Sequence, residues 1–375
     1  MTHRRAAAGV AAAVALVLVA PATASAHGGG GRGEPIRTVA GGLDGPRQLS
    51  DYTGGRLLVA ESDSGEVSSV DPWTGRVATI ASGLGNAQGV DHRDGRIYVA
   101  VGEPSGPPSE EGAPPVAPPP GTPVQALVEL TQDGRVVRST DLLDYEIKNN
   151  PDGQVQFDPG TGEPIETLSN PFSVLAQRDR VLVSDAGANA VLSVDRRSGK
   201  VTTFFVPPLV TDTPDCATVP NNPGTTGCDP VPTEITEGPW GLIYVGTLSA
   251  EAPGAARVYV LDPRGRVVGV HKGLTSVTGV AVDHWGTVYA SNVLEGVSFG
   301  PTGPVIPADP STVGEVTRIP IWGPRSTAQV TMPTGLEVGH GGLYASAWSV
   351  AGFLLGQPGR GEVQRVDERA FVRAR

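Results

Sequence analysis

Short stretches of alternating hydrophobic and polar residues recur along the chain, and the turns between them predict its fold. The segment 180–201 shows the pattern clearly: residues 181–184 alternate as a strand, residues 186–189 turn, and Ala190–Asp195 returns as a second strand. A further turn leads into a third strand that starts near Lys200. Because the chain contains 51 Gly and 35 Pro residues, long helices are not expected.

A four-residue phrase within this unit recurs along the chain and predicts the architecture. It consists of a hydrophobic residue, Tyr or Leu, Val or Ala, and then a small residue. The copies are residues 57–60, 97–100, 181–184, 243–246, 288–291 and 343–346. Six copies of a multi-strand unit, with small residues where strands crowd near an axis, predict an all-β fold, a six-bladed β-propeller.

The chain ends predict how the ring closes. Within a blade, with strands labelled a to d from the axis outward, an outer strand precedes a Gly-Leu pair. Residues 36–40, followed by Gly42 and Leu43, fit this slot but precede the first full blade. The last copy ends near Asp367 without a convincing outer strand. The N-terminal strand is therefore expected to complete the C-terminal blade, making residues 36–375 a single propeller.

The long insertions all fall in b–c or d–a connections, whereas a–b and c–d turns are short. The insertions are residues 103–123, 140–169, 207–231, 297–314 and 349–360. Because blade strands are antiparallel, both kinds of long connection emerge on one face, here called the loop-rich face, opposite a plain face. Elaborated faces are usually where propellers bind, so the loop-rich face is the expected binding face.

One insertion carries a helical pattern. Residues 141–150 are expected to form a short helix, with Asp141 as its N-cap and Pro151 as its stop. A helix at this point in the loop-rich face is expected to lie across the channel mouth as a lid or plug.

The N-terminus predicts export. Arg4 and Arg5 precede an apolar run at residues 6–20, and residues 24–26 form a small-residue cleavage site. Residues 1–26 are therefore expected to be a signal peptide cleaved after Ala26, followed by a flexible leader at residues 27–35. No further membrane span is expected. The protein is then secreted or extracellular, where Cys216 and Cys228, the only two cysteines, are expected to form a disulfide.

The charge balance bears on partners. The formal net charge of −11 argues against nucleic acid as a partner, because binding to phosphates requires a basic surface.

Several segments together resemble one known family. They are residues 144–153, 169–172, 183–189, 232–235, 253–259 and 332–335. This combination resembles the ScyD/ScyE family of exported bacterial β-propellers over nearly the whole chain, from about Ile36 to Val366. The resemblance implies a six-bladed, NHL-like propeller outside the cytoplasm. It implies no catalytic residues, because the family brings no established active site.

Position in the blades suggests a candidate site at the channel mouth of the loop-rich face. Polar residues just after strand b, or at the start of strand a, are expected to line this mouth. They are Glu61, Asp63, Glu103, Asn170, Asp185, Glu234 and Asn292. Hard oxygen ligands from several blades suit Ca²⁺ or another divalent cation, as in gluconolactonase and regucalcin propellers. Such a cation would use Glu61, Asn170, Asp185 and Asn292; alternatively, Asp185 only braces its turn.

Three functions remain open from the sequence. The first is a secreted binding or scaffold module that takes a small molecule, glycan or protein at the loop-rich face. The second is a metal-assisted lactone or ester hydrolase of gluconolactonase-like type, in which a cation polarises a carbonyl group. The third is a structural protein of the envelope or matrix. The motif at residues 237–240 resembles the opening motif of gluconolactonases, but it falls in an a–b turn on the plain face.

Overall fold

The strands form six antiparallel sheets arranged in a ring, which confirms the expected six-bladed β-propeller. The computed structural model describes residues 34–104, 119–165, 167–300, 303–339 and 341–373. Residues 1–33, which include the expected signal peptide, lie outside the described residues.

The first strand in the chain, β1 (Ile36–Leu43), belongs to the last blade. The first three blades each contain four strands in a-to-d order. Blade 1 consists of β2 (Pro46–Tyr52), β3 (Arg56–Glu61), β4 (Glu66–Val70) and β5 (Val77–Ala81). Blade 2 consists of β6 (Ala87–Arg93), β7 (Arg96–Val101), β8 (Ala126–Thr131) and β9 (Val136–Asp141). Blade 3 consists of β10 (Pro171–Ala176), β11 (Arg180–Asp185), β12 (Ala190–Asp195) and β13 (Val201–Phe205).

The remaining blades follow the same order. Blade 4 consists of β14 (Pro232–Glu237), β15 (Ile243–Thr247), β16 (Ala256–Leu261) and β17 (Val267–Leu274). Blade 5 begins with β18 (Val277–Val282) and β19 (Val288–Asn292). A separate hairpin follows, β20 (Ser298–Gly300) and β21 (Gly303–Val305), and then β22 (Glu315–Ile319) and β23 (Ser326–Ala328) complete the blade. Blade 6 contains β24 (Leu336–Gly339), β25 (Gly342–Ala347) and β26 (Gly361–Val366), and β27 (Val372–Arg373) follows β26 in the chain.

The ring closes as expected from the chain ends. Strand β1 pairs antiparallel with β26, from Ile36 opposite Val366 to Leu43 opposite Gly361, and so supplies the outermost strand of blade 6. The sequence did not reveal β27, which pairs with β23 and adds a fifth strand to blade 5. Strand β1 therefore covers the outer edge of β26, and β27 covers the outer edge of β23.

The hydrophobic core lies between neighbouring blades. Each inner strand contributes a buried Leu, Val or Ile at the equivalent position to this packing, and these are Leu49, Val90, Val174, Ile235, Val280 and Leu336. The cluster between blades 1 and 2, for example, joins Leu58 of β3 to Val90 of β6 and Val99 of β7. Burial of such side chains contributes about 1.5–3 kcal/mol each, which holds the blades together around the axis.

The two faces differ as expected. The long connections, residues 102–125, 142–170, 206–231, 293–314 and 348–360, all join strands b to c or strand d to the next a. The connection between β13 and β14 contains the expected disulfide, Cys216–Cys228, with an S–S distance of 2.10 Å. No helix in the described ranges is long and apolar enough to cross a membrane.

The helix in residues 142–170 forms, but its expected position is wrong. Helix α1 (Leu143–Asn149) begins after Asp141, whose Oδ1 accepts a hydrogen bond from the Asp144 amide at 2.8 Å, so Asp141 does cap this end. Tyr145 packs on the core between blades 2 and 3, and its hydroxyl lies 2.9 Å from Thr203 Oγ1 of the outermost strand β13. Apolar anchoring therefore holds the helix over the outer part of the blades, not across the channel mouth. A second short helix, α2 (Ala351–Leu355), lies between β25 and β26.

Candidate functional site

The side chain of Gln48, from the inner strand of blade 1, crosses the axis of the propeller. Its Nε2 donates hydrogen bonds to Glu234 Oε1 and to the Val174 carbonyl, both at 2.9 Å. Its Oε1 accepts from the amides of Val90 and Val174, also at 2.9 Å. A single buried amide thus uses its full hydrogen-bonding capacity to connect blades 1, 2, 3 and 4.

Small residues elsewhere in the ring make room for this arrangement. In each inner strand, the residue directly before the buried aliphatic residue faces the axis. In blade 4 this residue is Glu234, and in the other blades it is small, namely Gly89, Ser173, Gly279 and Gly335. A Cβ at Gly89 would lie 2.9 Å from Gln48 Oε1, and one at Gly335 would lie 2.8 Å from Gln48 Cα. Gln48 and Glu234 can therefore meet only because their neighbours lack bulk.

An acidic cavity of about 210 Å³ lies on the plain-face side of this hydrogen bond. The residues that follow the buried aliphatics face it, and they include Asp91 of blade 2 and Glu337 of blade 6. Asp51 and Glu237 lie at its rim, and Gln48 and Glu234 form its floor. This cavity will be called the axial cavity.

Burial controls the protonation of the axial carboxyl groups. It raises the pKa of Asp91 to about 6, although the amides of Ala176 and His92 donate to this carboxylate at 2.7 Å. Burial also raises the pKa of Glu234 and of Glu337 well above the usual range, and the charges of Asp91 and Asp51 add to the effect at Glu337. The folded protein therefore holds these protons more tightly than the unfolded chain. The stability contributed by Asp91 is present below about pH 4 and is lost as the pH rises through about 6.

A second polar cavity, of about 270 Å³, lies on the loop-rich face and will be called the loop cavity. It is lined by residues from three long connections, among them Glu103, Asn170 and Asp229. Thr167 Oγ1 donates to Glu103 Oε2 at 2.8 Å, and the Glu103 amide donates to Asn170 Oδ1 at 3.2 Å. Glu103 remains half-buried, so its carboxylate is accessible at the cavity wall.

Asp185 supports the loop cavity from below. Its carboxylate is fully buried and accepts hydrogen bonds from Ser169 Oγ at 2.7 Å, the Asn170 amide at 2.6 Å and the Ala188 amide at 3.2 Å. Burial raises the pKa of this carboxyl to about 6, against the effect of these donors. The contacts fix the start of β10 and the turn after β11, which is the bracing role that the sequence left open.

The other residues expected at the mouth lie apart from this group. Glu61 Oε2 accepts from the Asp44 amide at 2.9 Å, and burial raises the pKa of its carboxyl. Asn292 Oδ1 accepts from the Thr275 amide at 3.0 Å, while its Nδ2 donates to Thr317 Oγ1 at 2.8 Å. Asp63 is exposed and accepts from Ser62 Oγ at 2.8 Å. The structure thus connects Glu103, Asn170 and Asp185, places Glu234 on the axis, and leaves Glu61 and Asn292 within their own blades.

No group of three or more His, Cys, Asp or Glu residues in the described part of the chain is arranged to hold a metal ion. The oxygen atoms proposed for a cation, those of Glu61, Asp185 and Asn292, already accept hydrogen bonds from backbone amides. Glu61 lies in blade 1, Asn170 and Asp185 lie at blade 3, and Asn292 lies in blade 5, and a shared divalent site is not seen among them in the described part of the chain.

Sequence reasoning missed the axial residues Gln48, Asp91 and Glu337. The signal is present, because each stands next to the buried aliphatic of an inner strand. Comparing the six inner strands position by position would have separated the axis-facing residues from those that pack between blades.

Another cavity, of about 480 Å³, lies on the plain face between blades 5 and 6. Trp285, Tyr289 and Phe371 line it, the last from the segment that precedes β27. The hydroxyl of Tyr289 donates to Glu368 Oε1 at 3.1 Å, and burial raises the pKa of this phenol to about 12. The C-terminal segment that extends blade 5 thus also forms one wall of this cavity.

Comparison with solved structures agrees with the class of protein that the sheets define, a six-bladed β-propeller. A Thermus thermophilus protein, provisionally named an oxidoreductase (glucose dehydrogenase), is 15% identical with a TM-score of 0.51, covering 88% of this chain and 98% of that one. A luciferin-regenerating enzyme is 11% identical with a TM-score of 0.51, covering 90% and 97%. A Bacteroides thetaiotaomicron protein of unknown function is 11% identical with a TM-score of 0.51, covering 88% and 75%.

These identities show the fold alone. No protein-family profile matches the sequence, and no curated protein matches it either.

Proposed function

We propose that the protein is an exported binding module of the ScyD/ScyE type, which takes a small polar ligand in the loop cavity. The observation that carries this proposal is the convergence of Glu103, Asn170 and Asp229, from three separate long connections, on one cavity. Long connections on one face of a rigid propeller are where binding residues usually lie. The disulfide and the export pattern of residues 1–26 support a location outside the cytoplasm.

Contacts between the connections support a preformed cavity. Gln154 Nε2 donates to Asp229 Oδ1, which links residues 142–170 to residues 206–231. Asn189 Nδ2 donates to Asp152 Oδ2 at 3.2 Å, and its Oδ1 accepts from the Val231 amide at 3.1 Å. The Cys216–Cys228 bond constrains the same connection. Loops ordered in advance lose less conformational entropy when a ligand binds.

The hydrolase alternative has weaker support from the geometry. A cation that polarises a carbonyl group needs free oxygen ligands, whereas the carboxylates of Glu61 and Asp185 accept hydrogen bonds that fix backbone segments. Their role in positioning the chain accounts for their burial. A binding module needs no such ligands, so we prefer it.

The test is thermal unfolding in the presence of a panel of monosaccharides, amino acids, organic acids and nucleosides. A ligand at 100 times its dissociation constant adds about 2.7 kcal/mol to the stability of the folded state, so a member of the panel should raise Tm by a few degrees. Glu103→Gln should remove this shift, because Glu103 presents its carboxylate at the cavity wall.

Glu163→Gln is the matched control, since Glu163 is an exposed acid in residues 142–170 and does not line the cavity. The shift should persist in this variant. A panel without any stabilising member, or a shift that survives Glu103→Gln unchanged, would contradict the proposal.

A further inference from the structure

The plain face presents tryptophan side chains to solvent. Trp240 lies in the a–b turn of blade 4, Trp285 in the a–b turn of blade 5 and Trp322 in the c–d turn of blade 5. Their side chains are 77%, 71% and 88% exposed, although folding usually buries most of an indole. Exposed apolar patches rimmed by polar groups mark binding surfaces, so these turns indicate a ligand on this face.

Two of these indoles belong to one continuous patch. Gly286 follows Trp285, and a Cβ on this glycine would lie 2.9 Å from Ile321 Cδ1 and 3.8 Å from Trp240 Cζ3. The missing side chain therefore lets Ile321, which is itself exposed, and Trp240 approach the turn of blade 5. The surface formed by Trp240, Trp285 and Ile321 will be called the aromatic patch.

The backbone of Trp240 gives an independent indication. Its φ of 63° lies in the left-handed region, which residues with bulky side chains rarely adopt. Such a conformation costs about 1–3 kcal/mol, and an exposed indole recovers little of this by packing. Residues held in strained conformations cluster at ligand-binding sites, so contact with a ligand accounts for a tryptophan at this position.

The aromatic patch leads into the cavity of about 480 Å³ between blades 5 and 6, because Trp285 belongs to both. Tyr289 and Phe371 supply two more rings to the lining, with their centroids 5.8 Å apart. Ligand pockets typically measure about 300–1,000 Å³ and combine aromatic walls with a few polar groups. This cavity therefore has the size and the lining of a ligand site.

Polar groups of both signs complete the lining. Asp283 Oδ1 accepts from two backbone amides of its own turn at 2.8 and 2.9 Å, while Oδ2 accepts from no described residue. Arg365 Nη2 donates to the Gly341 carbonyl at 2.5 Å, and a guanidinium has further N–H donors. The cavity thus offers both an acceptor and a donor to a ligand.

Ion pairs keep the rest of the cavity close to neutral. The carboxylate of Asp367 lies 2.9 Å from Arg369 Nε, and that of Glu368 lies 3.5 Å from Arg318 Nε. The two groups described above carry opposite charges. The lining therefore complements the charge of a neutral ligand, and it does not suit an anionic lipid surface, which a basic patch would attract.

These features together select the ligand class. A pyranose ring has an apolar C–H face that can lie on an indole, and its hydroxyl groups both donate and accept hydrogen bonds. The cavity provides rings, an acceptor and a donor within one recess. The aromatic patch extends beyond that recess, so the ligand that fits is a chain of sugars.

We propose that the plain face binds a neutral polysaccharide. One sugar residue occupies the cavity between blades 5 and 6, and the chain continues over the aromatic patch towards Trp240. Trp285 contacts the ligand at the point where the two parts meet. This site lies on the face opposite the loop cavity, so either binding activity can be present without the other.

The experiment is titration of the full chain with cellohexaose, laminarihexaose and maltohexaose, followed by tryptophan fluorescence. At least one hexasaccharide should bind saturably and shift the emission to shorter wavelength, because the sugar covers exposed indoles. The corresponding disaccharide should bind about tenfold more weakly, since it contacts fewer rings. Added salt should leave the affinity unchanged, because the ligand carries no charge.

Variants assign the site. Trp285→Ala should weaken binding of the hexasaccharide by at least about tenfold, the usual cost of losing a central aromatic anchor. Trp240→Ala should weaken the hexasaccharide by about fivefold and leave the disaccharide unchanged, because only the longer chain extends to Trp240.

Trp73→Ala is the matched control. Trp73 is 67% exposed in the c–d turn of blade 1 and does not line the cavity. Its replacement removes an exposed plain-face indole in the same way, and it should change the affinity by less than about twofold. Circular dichroism melts would establish that each variant is folded.

Three results would overturn the proposal. The first is an absence of saturable binding of all three hexasaccharides by wild-type protein, which does not depend on whether a variant folds. The second is equal weakening by Trp73→Ala and Trp285→Ala. The third is a different occupant of the aromatic patch, seen as sedimentation with phosphatidylcholine and phosphatidylglycerol vesicles, or as dimerisation, that Trp240→Ala abolishes.

Discussion

Replacement of Gln48 by alanine is expected to lower the free energy of unfolding by about 3–5 kcal/mol, because it breaks four buried hydrogen bonds. The amides of Val90 and Val174 would lose their acceptor, and Glu234 would lose its donor on the axis. Each buried polar group left unsatisfied costs about 1–3 kcal/mol. Urea denaturation measures the loss as a lower midpoint at unchanged slope.

Gln329→Ala is the control for this change. Gln329 is exposed, and its Nε2 donates to the Gly314 carbonyl at 2.6 Å on the surface of the protein. Its replacement should cost less than about 1 kcal/mol. If the two variants unfold at the same urea concentration, Gln48 does not connect the blades as described.

Removal of β1 is expected to have the other large effect. A chain that begins at Asp44 loses the strand that pairs with β26, and with it the buried side chains of Ala40 and Leu43. The exposed edge of blade 6 would then be open to pairing with other chains. This chain should melt at a much lower temperature or aggregate on expression, whereas a chain that begins at Glu34 should melt like one that begins at His27.

Addition of a peptide of residues 34–43 gives a further check on closure. Because the peptide can occupy the vacant edge of β26, it should raise the Tm of the chain that begins at Asp44. Equal melting temperatures for the two chains would mean that β1 does not close the ring.

The repeated phrase made the propeller predictable from the sequence. Each copy, such as residues 97–100, has the pattern of strand b and ends on a small residue near the axis. A ring of blades gives all six copies the same surroundings. The displaced outer strand at residues 36–40 predicted closure, since the last blade lacked a partner for β26. The uneven lengths of the connections predicted the two faces. These features depend on local patterns and on strand order, which a sequence carries directly.

The candidate site was only partly predictable. Glu103, Asn170 and Asp185 were chosen because they follow strand b or precede strand a, and they do form one hydrogen-bonded group. Glu61 and Asn292 occupy similar positions but bond to backbone groups within their own blades, which position alone does not reveal.

Two further features depended on contacts between distant segments. Asp91 and Glu337 lie 246 positions apart and meet only because the ring brings blades 2 and 6 to a common axis. Helix α1 was expected over the channel, but the burial of Tyr145 between blades 2 and 3 decides its place. Packing against other blades, which a local pattern does not encode, controls both.

The central claim is that this propeller binds its ligand and does not hydrolyse it with the help of a metal. The most direct measurement combines Tm and turnover for chelator-treated protein with Ca²⁺, Mg²⁺, Mn²⁺ or Zn²⁺ and a panel of lactones and esters. We expect an unchanged Tm and no turnover. A rise in Tm with one cation, together with hydrolysis that Glu61→Gln and Asp185→Asn abolish while the protein stays folded, would contradict it.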